Sequence, residues 1–149
     1  IKMLTENLKV LLATSYAFVI KAQNFHWNVE GPNFAEYHKF YMELSEEVYN
    51  NAIDRCAEFV RVLDSYTPGS LSRFQELSLL EDQTKIPKAM LMMLELQQDN
   101  EIIIKHLNDT FVSAQNEKHE GIANFIAERL DAHGKHGWQL RSYLKENRQ

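Results

Sequence analysis

From Phe34 to Leu63 the chain contains no glycine or proline, while Phe34, Tyr37, Phe40, Tyr41, Leu44, Val48, Tyr49, Ala52, Ile53, Ala57, Val60 and Leu63 recur at helical spacing. A helix over this stretch is about 45 Å long at 1.5 Å per residue. Its length limits which of its own side chains can meet at one point. Three further patterns have the same character. The first runs from about Thr5, a candidate N-cap followed by Glu6, to Trp27. Another opens at Pro87 and runs to about Gln115, and the last runs from about Gly121 to Leu144. Only 5 Gly and 3 Pro interrupt 149 residues, which favours long helices over a sheet rich in turns.

Two breaks organise these patterns. Glu30-Gly31-Pro32-Asn33 separates the first from the second, with Pro32 at or just before the helix start and Asn33 placed to cap it. Thr67-Pro68-Gly69-Ser70 ends the second, and Leu71 to Leu80 reads as a short helix or irregular crossover. The expected fold is therefore all-α: a single domain over residues 1–149, built as a four-helix bundle with a long crossover carrying a short helix between helices 2 and 3. That is the ferritin-like arrangement, since an up-and-down bundle would need only a short second connection.

The formal net charge of -5 argues against a surface that grips nucleic acid as a whole, because such affinity comes mainly from Lys and Arg neutralising phosphates. Lys2 and Lys9 near the start and Lys145 and Arg148 near the end would support at most a weak, salt-sensitive DNA contact. Acidic character suits a protein that collects cations. Cys56 is the single cysteine, so nothing requires an oxidising compartment. No basic-then-apolar leader opens the sequence, and Thr14 and Ser15 interrupt its longest apolar stretch. A cytoplasmic protein with no membrane span is expected.

Chemistry concentrates at the first break. His26 and Trp27 close one helical pattern and His38 lies early in the next, so the two imidazoles sit near one helix corner. Paired with carboxylates they suit a transition metal better than calcium or magnesium. Asp54 and Glu58 are four apart and share a helix face. His38, however, precedes Asp54 by sixteen residues on the same helix, a separation of about 24 Å. One copy cannot bring all four groups to one ion. A shared site requires His26 and His38 from one subunit and Asp54 and Glu58 from a two-fold mate, two sites per isologous dimer.

The run His26-Trp27-Asn28-Val29-Glu30-Gly31-Pro32-Asn33-Phe34, then His38, then Asp54-Arg55-Cys56-Ala57-Glu58, resembles the signature of the Dps family of ferritin-like proteins. Ile126, Arg129, His133, Lys135, Trp138, Leu140, Arg141 and Leu144 are similar to that family's closing helix. The resemblance implies a hollow homododecamer whose dimer interfaces oxidise ferrous iron, usually with hydrogen peroxide in preference to oxygen, and whose cavity stores ferric mineral. It implies His26, His38, Asp54 and Glu58 as ferroxidase ligands, with Trp27 beside them. The interval from His38 to Asp54 is one residue longer than the family's, which rotates everything downstream by about 100° on an ideal helix. A π-bulge between Tyr41 and Ile53, near Asn50-Asn51, is expected to absorb it.

Other residues have plainer readings. Trp27 and Trp138 are more often packing residues, Met90, Met92 and Met93 gap fillers, and Cys56 a buried small hydrophobe. Glu43, Glu46 and Glu47 form either a solvated face or, in a hollow shell, a cavity lining that binds iron. His133 and His136 are expected as a packed or partly exposed pair. The leading functional expectation is an iron-oxidising, iron-storing cage that removes Fe(II) and peroxide together. The alternatives are a structural or nucleoid-associated shell with weak or lost iron oxidation, kept open by the longer interval, and a monomeric helical binding module.

Overall fold

A computed structural model describes residues 3–145, and among these all regular structure is helical. Helix α1 spans Met3–Asn28 and α2 spans Phe34–Val48. A π-helical turn, Tyr49–Ile53, joins α2 to α3, Asp54–Val62, as one continuous rod. The short α4 covers Leu71–Leu77, α5 covers Ala89–Asn116 and α6 covers Glu120–Leu144. The four long members of the bundle are thus α1, the α2–α3 rod, α5 and α6, with α4 in the crossover lying against α1.

Each long helix turns an apolar stripe inward. Leu4, Leu8, Leu12, Phe18 and Phe25 of α1 meet Tyr41, Leu44 and Val48 of α2, Met93, Leu96, Ile103 and Leu107 of α5, and Ile122, Phe125, Ile126 and Leu140 of α6. By length and apolar content α1 would suffice to cross a membrane, yet here these side chains fill the bundle core. Met92 and Met93 are core fillers as expected, and Met90 accepts a hydrogen bond from the Tyr37 hydroxyl at 3.4 Å. Lys21, also buried, holds Glu95 at 2.9 Å and Asp99 at 2.8 Å, tying α1 to α5 through paired charges.

Helix ends differ from the sequence expectation where tertiary partners intervene. α1 is already helical at Met3, ahead of Thr5, and its Leu4 amide donates to the Glu117 carboxylate at the far end of α5, 3.0 Å away. A distant acid does the capping expected of a local hydroxyl. Asn33 occupies the cap position of α2, but its side chain makes no capping bond. Ser70 does cap α4, accepting from the Arg73 amide at 3.3 Å, and Phe74 stacks on Tyr16 of α1 at 5.0 Å. Helix α4 ends at Leu77, short of Leu80. The cations Lys2 and Arg148 lie outside the described residues; Lys9 pairs with Glu6 at 3.5 Å.

Candidate metal centre

The corner between α1 and α2 is shaped by Gly31, whose φ of +117° is open only to glycine, and by the Phe34 amide donating to the Gly31 carbonyl at 3.0 Å. Val29, 2% exposed, anchors the corner in the core. This turn folds His26 and His38 onto each other with ring centroids 3.9 Å apart and planes 17° from parallel. His26 Nδ1 lies 2.5 Å from the His38 carbonyl oxygen, and His38 Nδ1 lies 2.7 Å from the His26 carbonyl oxygen. A carbonyl can only accept, so both Nδ1 atoms carry the proton and donate. In its neutral form each ring then keeps its lone pair on Nε2, a tautomer that can bind metal. Phe34 also stacks on His38, with centroids 4.9 Å apart.

Asp54 and Glu58 stand exposed on α3 immediately after the π turn. On a regular helix, sixteen steps of about 100° leave Asp54 about 160° round the axis from His38; taking one residue into a wider turn reduces this to about 60°. The π turn at Tyr49–Ile53 includes Asn50 and Asn51, where the spacing called for it. Among the described residues, no three His, Cys, Asp or Glu side chains of a single chain gather as a metal site. The histidine pair and the carboxylate pair are separate features of one chain, the imidazoles half-buried and the carboxylates exposed.

The acidic run divides. Glu43 and Glu46 are exposed, whereas Glu47 turns toward α6 and receives hydrogen bonds from Arg129 Nη1 at 2.7 Å, Arg129 Nη2 at 2.9 Å and His136 Nε2 at 2.6 Å. The Asn51 amide adds bonds to the Glu47 carboxylate, 3.2 Å, and to its backbone carbonyl, 3.1 Å. Burial alone would raise the Glu47 carboxyl, but the hydrogen bonds from His136 and Arg129 outweigh it and hold the group well below the usual carboxylate range. Behind it, buried His133 donates from Nδ1 to the Asn100 side chain at 2.9 Å and accepts at Nε2 from Arg129 at 3.0 Å, which makes it neutral. Burial, then the Arg129 and His136 charges, push the His133 pKa well down.

His133 and His136 are thus a packed pair, as expected. Cys56 is buried and directs its thiol to the Leu8 carbonyl at 3.3 Å; burial pushes its pKa up to about 12. Trp27 and Trp138 depart from the packing role, being 64% and 60% exposed. Sequence reasoning passed over the partnership of Arg129 with Glu47 and the stacking of Phe34 on His38. A signal for the π turn did exist: Val48, Ala52, Cys56 and Val60 are all buried at strict four-residue spacing. On a regular helix that row would drift by about 40° per step, so a locally wider turn is needed to keep it inward.

A family model described as a ferritin-like domain matches residues 5–149. The DNA protection during starvation protein 2 of Bacillus anthracis is 26% identical over 145 residues, covering 97% of this chain and 99% of that protein. The crystal structure of Dps from Staphylococcus aureus superposes with a TM-score of 0.91 at 29% identity, covering 95% of both chains. The chain belongs to the Dps family of ferritin-like proteins. The Dps protein of Bacillus brevis is equally similar in structure, with a TM-score of 0.92 at 26% identity over 96% of this chain and 95% of that one. A low temperature-induced protein of Nostoc is 35% identical over 136 residues, 90% of this chain and 75% of that protein. At the level of the family, Dps membership means iron storage and DNA protection.

Proposed function

We propose that this Dps protein is a ferroxidase and iron-storage cage, a cytoplasmic homododecamer whose sites lie at two-fold interfaces. In each site His26 and His38 of one copy present Nε2 lone pairs to Fe(II), and Asp54 and Glu58 of its mate supply carboxylate oxygens. The observation that carries this reading is the reciprocal His26–His38 clasp, which occupies both Nδ1 atoms with backbone carbonyls and leaves Nε2 of each ring, in its neutral form, as the atom free to bind metal. In the reaction two Fe(II) each give one electron to hydrogen peroxide; the O–O bond breaks, its oxygens leave as water or hydroxide, and Fe(III) passes inward as mineral. Exposed Glu43 and Glu46 are available to receive it on a cavity wall. Glu47 is committed to Arg129 and His136, so a role as a mineral ligand would require it to leave them.

The alternative of a shell without rapid iron chemistry drew its support from the long His38 to Asp54 interval. The π turn takes up that extra residue, so the interval no longer favours it. The test is peroxide-dependent Fe(II) oxidation by the assembled protein. It is expected to disappear in His26→Ala and Asp54→Ala variants of unchanged assembly mass. Oxidation by the unmodified protein no faster than in buffer would remove the ferroxidase reading.

A further inference from the structure

Two consecutive residues of α6 grip the α2–α3 rod on opposite sides of its π turn. Upstream, Arg129 holds Glu47 through two hydrogen bonds of 2.7 and 2.9 Å. Downstream, Glu128 holds Arg55 Nη1 at 2.7 Å, and the Arg55 guanidinium lies 4.8 Å over the Phe125 ring of the same helix. The charges are crossed: the rod offers an acid then a base, and α6 offers a base for the first and an acid for the second. The five π residues, Tyr49–Ile53, fall inside the span these two pairs enclose. Within it, the Asn51 side-chain amide bonds the Glu47 backbone carbonyl at 3.1 Å.

We propose that Glu128 and Arg129 are positioning residues for the metal site, holding the extra residue of the rod upstream of Asp54. The inference rests on the reading of Asp54 as a metal ligand. The extra residue has to be accommodated somewhere along the rod. Taken up before Asp54, it leaves the carboxylate on the flank described above. Slipped past Asp54, it swings that carboxylate by about 100° while the helix on either side stays packed. Within the turn Tyr49, Asn50 and Asn51 are exposed and Ala52 is the buried residue, so core packing opposes the slip through little more than one methyl group. The crossed ion pairs oppose it, since sliding the turn moves Arg55 relative to Glu47 while Glu128 and Arg129 stay adjacent.

The test uses full-length assembled protein and Co(II), whose visible absorption reports its ligand set. Unmodified protein is expected to bind Co(II) at a site abolished by His26→Ala. Glu47→Gln combined with Glu128→Gln is expected to weaken binding by about 10- to 100-fold, as for other groups that support ligands without touching metal. Glu128→Gln alone, on the solvent side, shifts affinity in the same direction without disturbing the core. Deleting Asn50 in the double variant is expected to restore binding, because a rod without the extra residue needs no clamp. Affinity unchanged in the double variant, or loss that the deletion does not repair, would overturn the inference while leaving the metal site standing. No Co(II) binding in unmodified protein would overturn the site and the inference together.

Discussion

His26 and His38 hold each other through their backbones: each ring donates its Nδ1 proton to the other residue's carbonyl oxygen, at 2.5 and 2.7 Å. The clasp is complete within one chain, whereas the proposed site takes its carboxylates from a mate. Mixing defective chains exposes that division. A chain lacking both histidines and a chain lacking Asp54 and Glu58 should each be inactive in Fe(II) oxidation. Co-assembled in equal amounts, they should recover about a quarter of wild-type activity, because half the isologous dimers are mixed and each of those has one intact site. No recovery in a well-mixed assembly would mean that all four ligands act from one chain or not at all.

Acid should destabilise the protein in two stages. His133 is neutral in the fold with its pKa depressed from 6.5, chiefly by burial and then by Arg129 and His136, so its contribution is complete above 6.5 and is lost as pH falls below it. Glu47 is ionised in the fold with its pKa depressed from 4.5, so its contribution is lost only as pH falls through 4.5 and below. Denaturation midpoints should therefore decline gently from pH 6.5 and steeply below 4.5. His133→Gln should flatten the first part and keep the second. A midpoint that holds level from pH 7 to 5 in the unmodified protein would contradict the neutral assignment.

Two glycines of α6 should respond oppositely to alanine. A Cβ on Gly137 would stand 3.1 Å from the Asn100 amide nitrogen and 2.9 Å from Arg141 Nη1. Arg141 can swing aside into solvent. Asn100 is fully buried and bonded to His133 through both ends of its amide. Gly137→Ala should therefore cost about 1–3 kcal/mol. Nothing lies within 4 Å of the corresponding position on Gly134, so Gly134→Ala should raise stability by up to about 1 kcal/mol through helix propensity. Thermal unfolding of the two variants side by side checks the contrast.

Cys56 should be inert although it lies between Asp54 and Glu58 in sequence. Its thiol is buried against Leu8 and its pKa is pushed up to about 12, so almost no thiolate exists at neutral pH. A thiol reagent should label it only after denaturation. Rapid labelling of the folded assembly would show that the rod opens near the carboxylates.

The four long helices and the crossover were readable from residue order because a core-facing helix must repeat its apolar side chains about every 3.6 positions, whatever it packs against. The histidine corner was readable for a similar reason: Gly31-Pro32 breaks the chain and leaves His26 and His38 on either side of the break. The expectation of a π turn came from setting the His38 to Asp54 interval beside the family's, which is one residue shorter. Placed at Tyr49–Ile53, the turn leaves Val48, Ala52, Cys56 and Val60 all facing the core.

Residue order determined the helices, the corner and the surplus residue, since each depends on neighbours in the chain. Tertiary structure decided that Glu47 turns inward while Glu43 and Glu46 face solvent, and that Glu117 caps a helix more than a hundred positions away. The physical reason is that a buried charge is tolerable only beside its counter-charge. For Glu47 that partner is Arg129, on another helix and 82 residues distant in sequence. No local pattern records such a meeting; only the assembled bundle does.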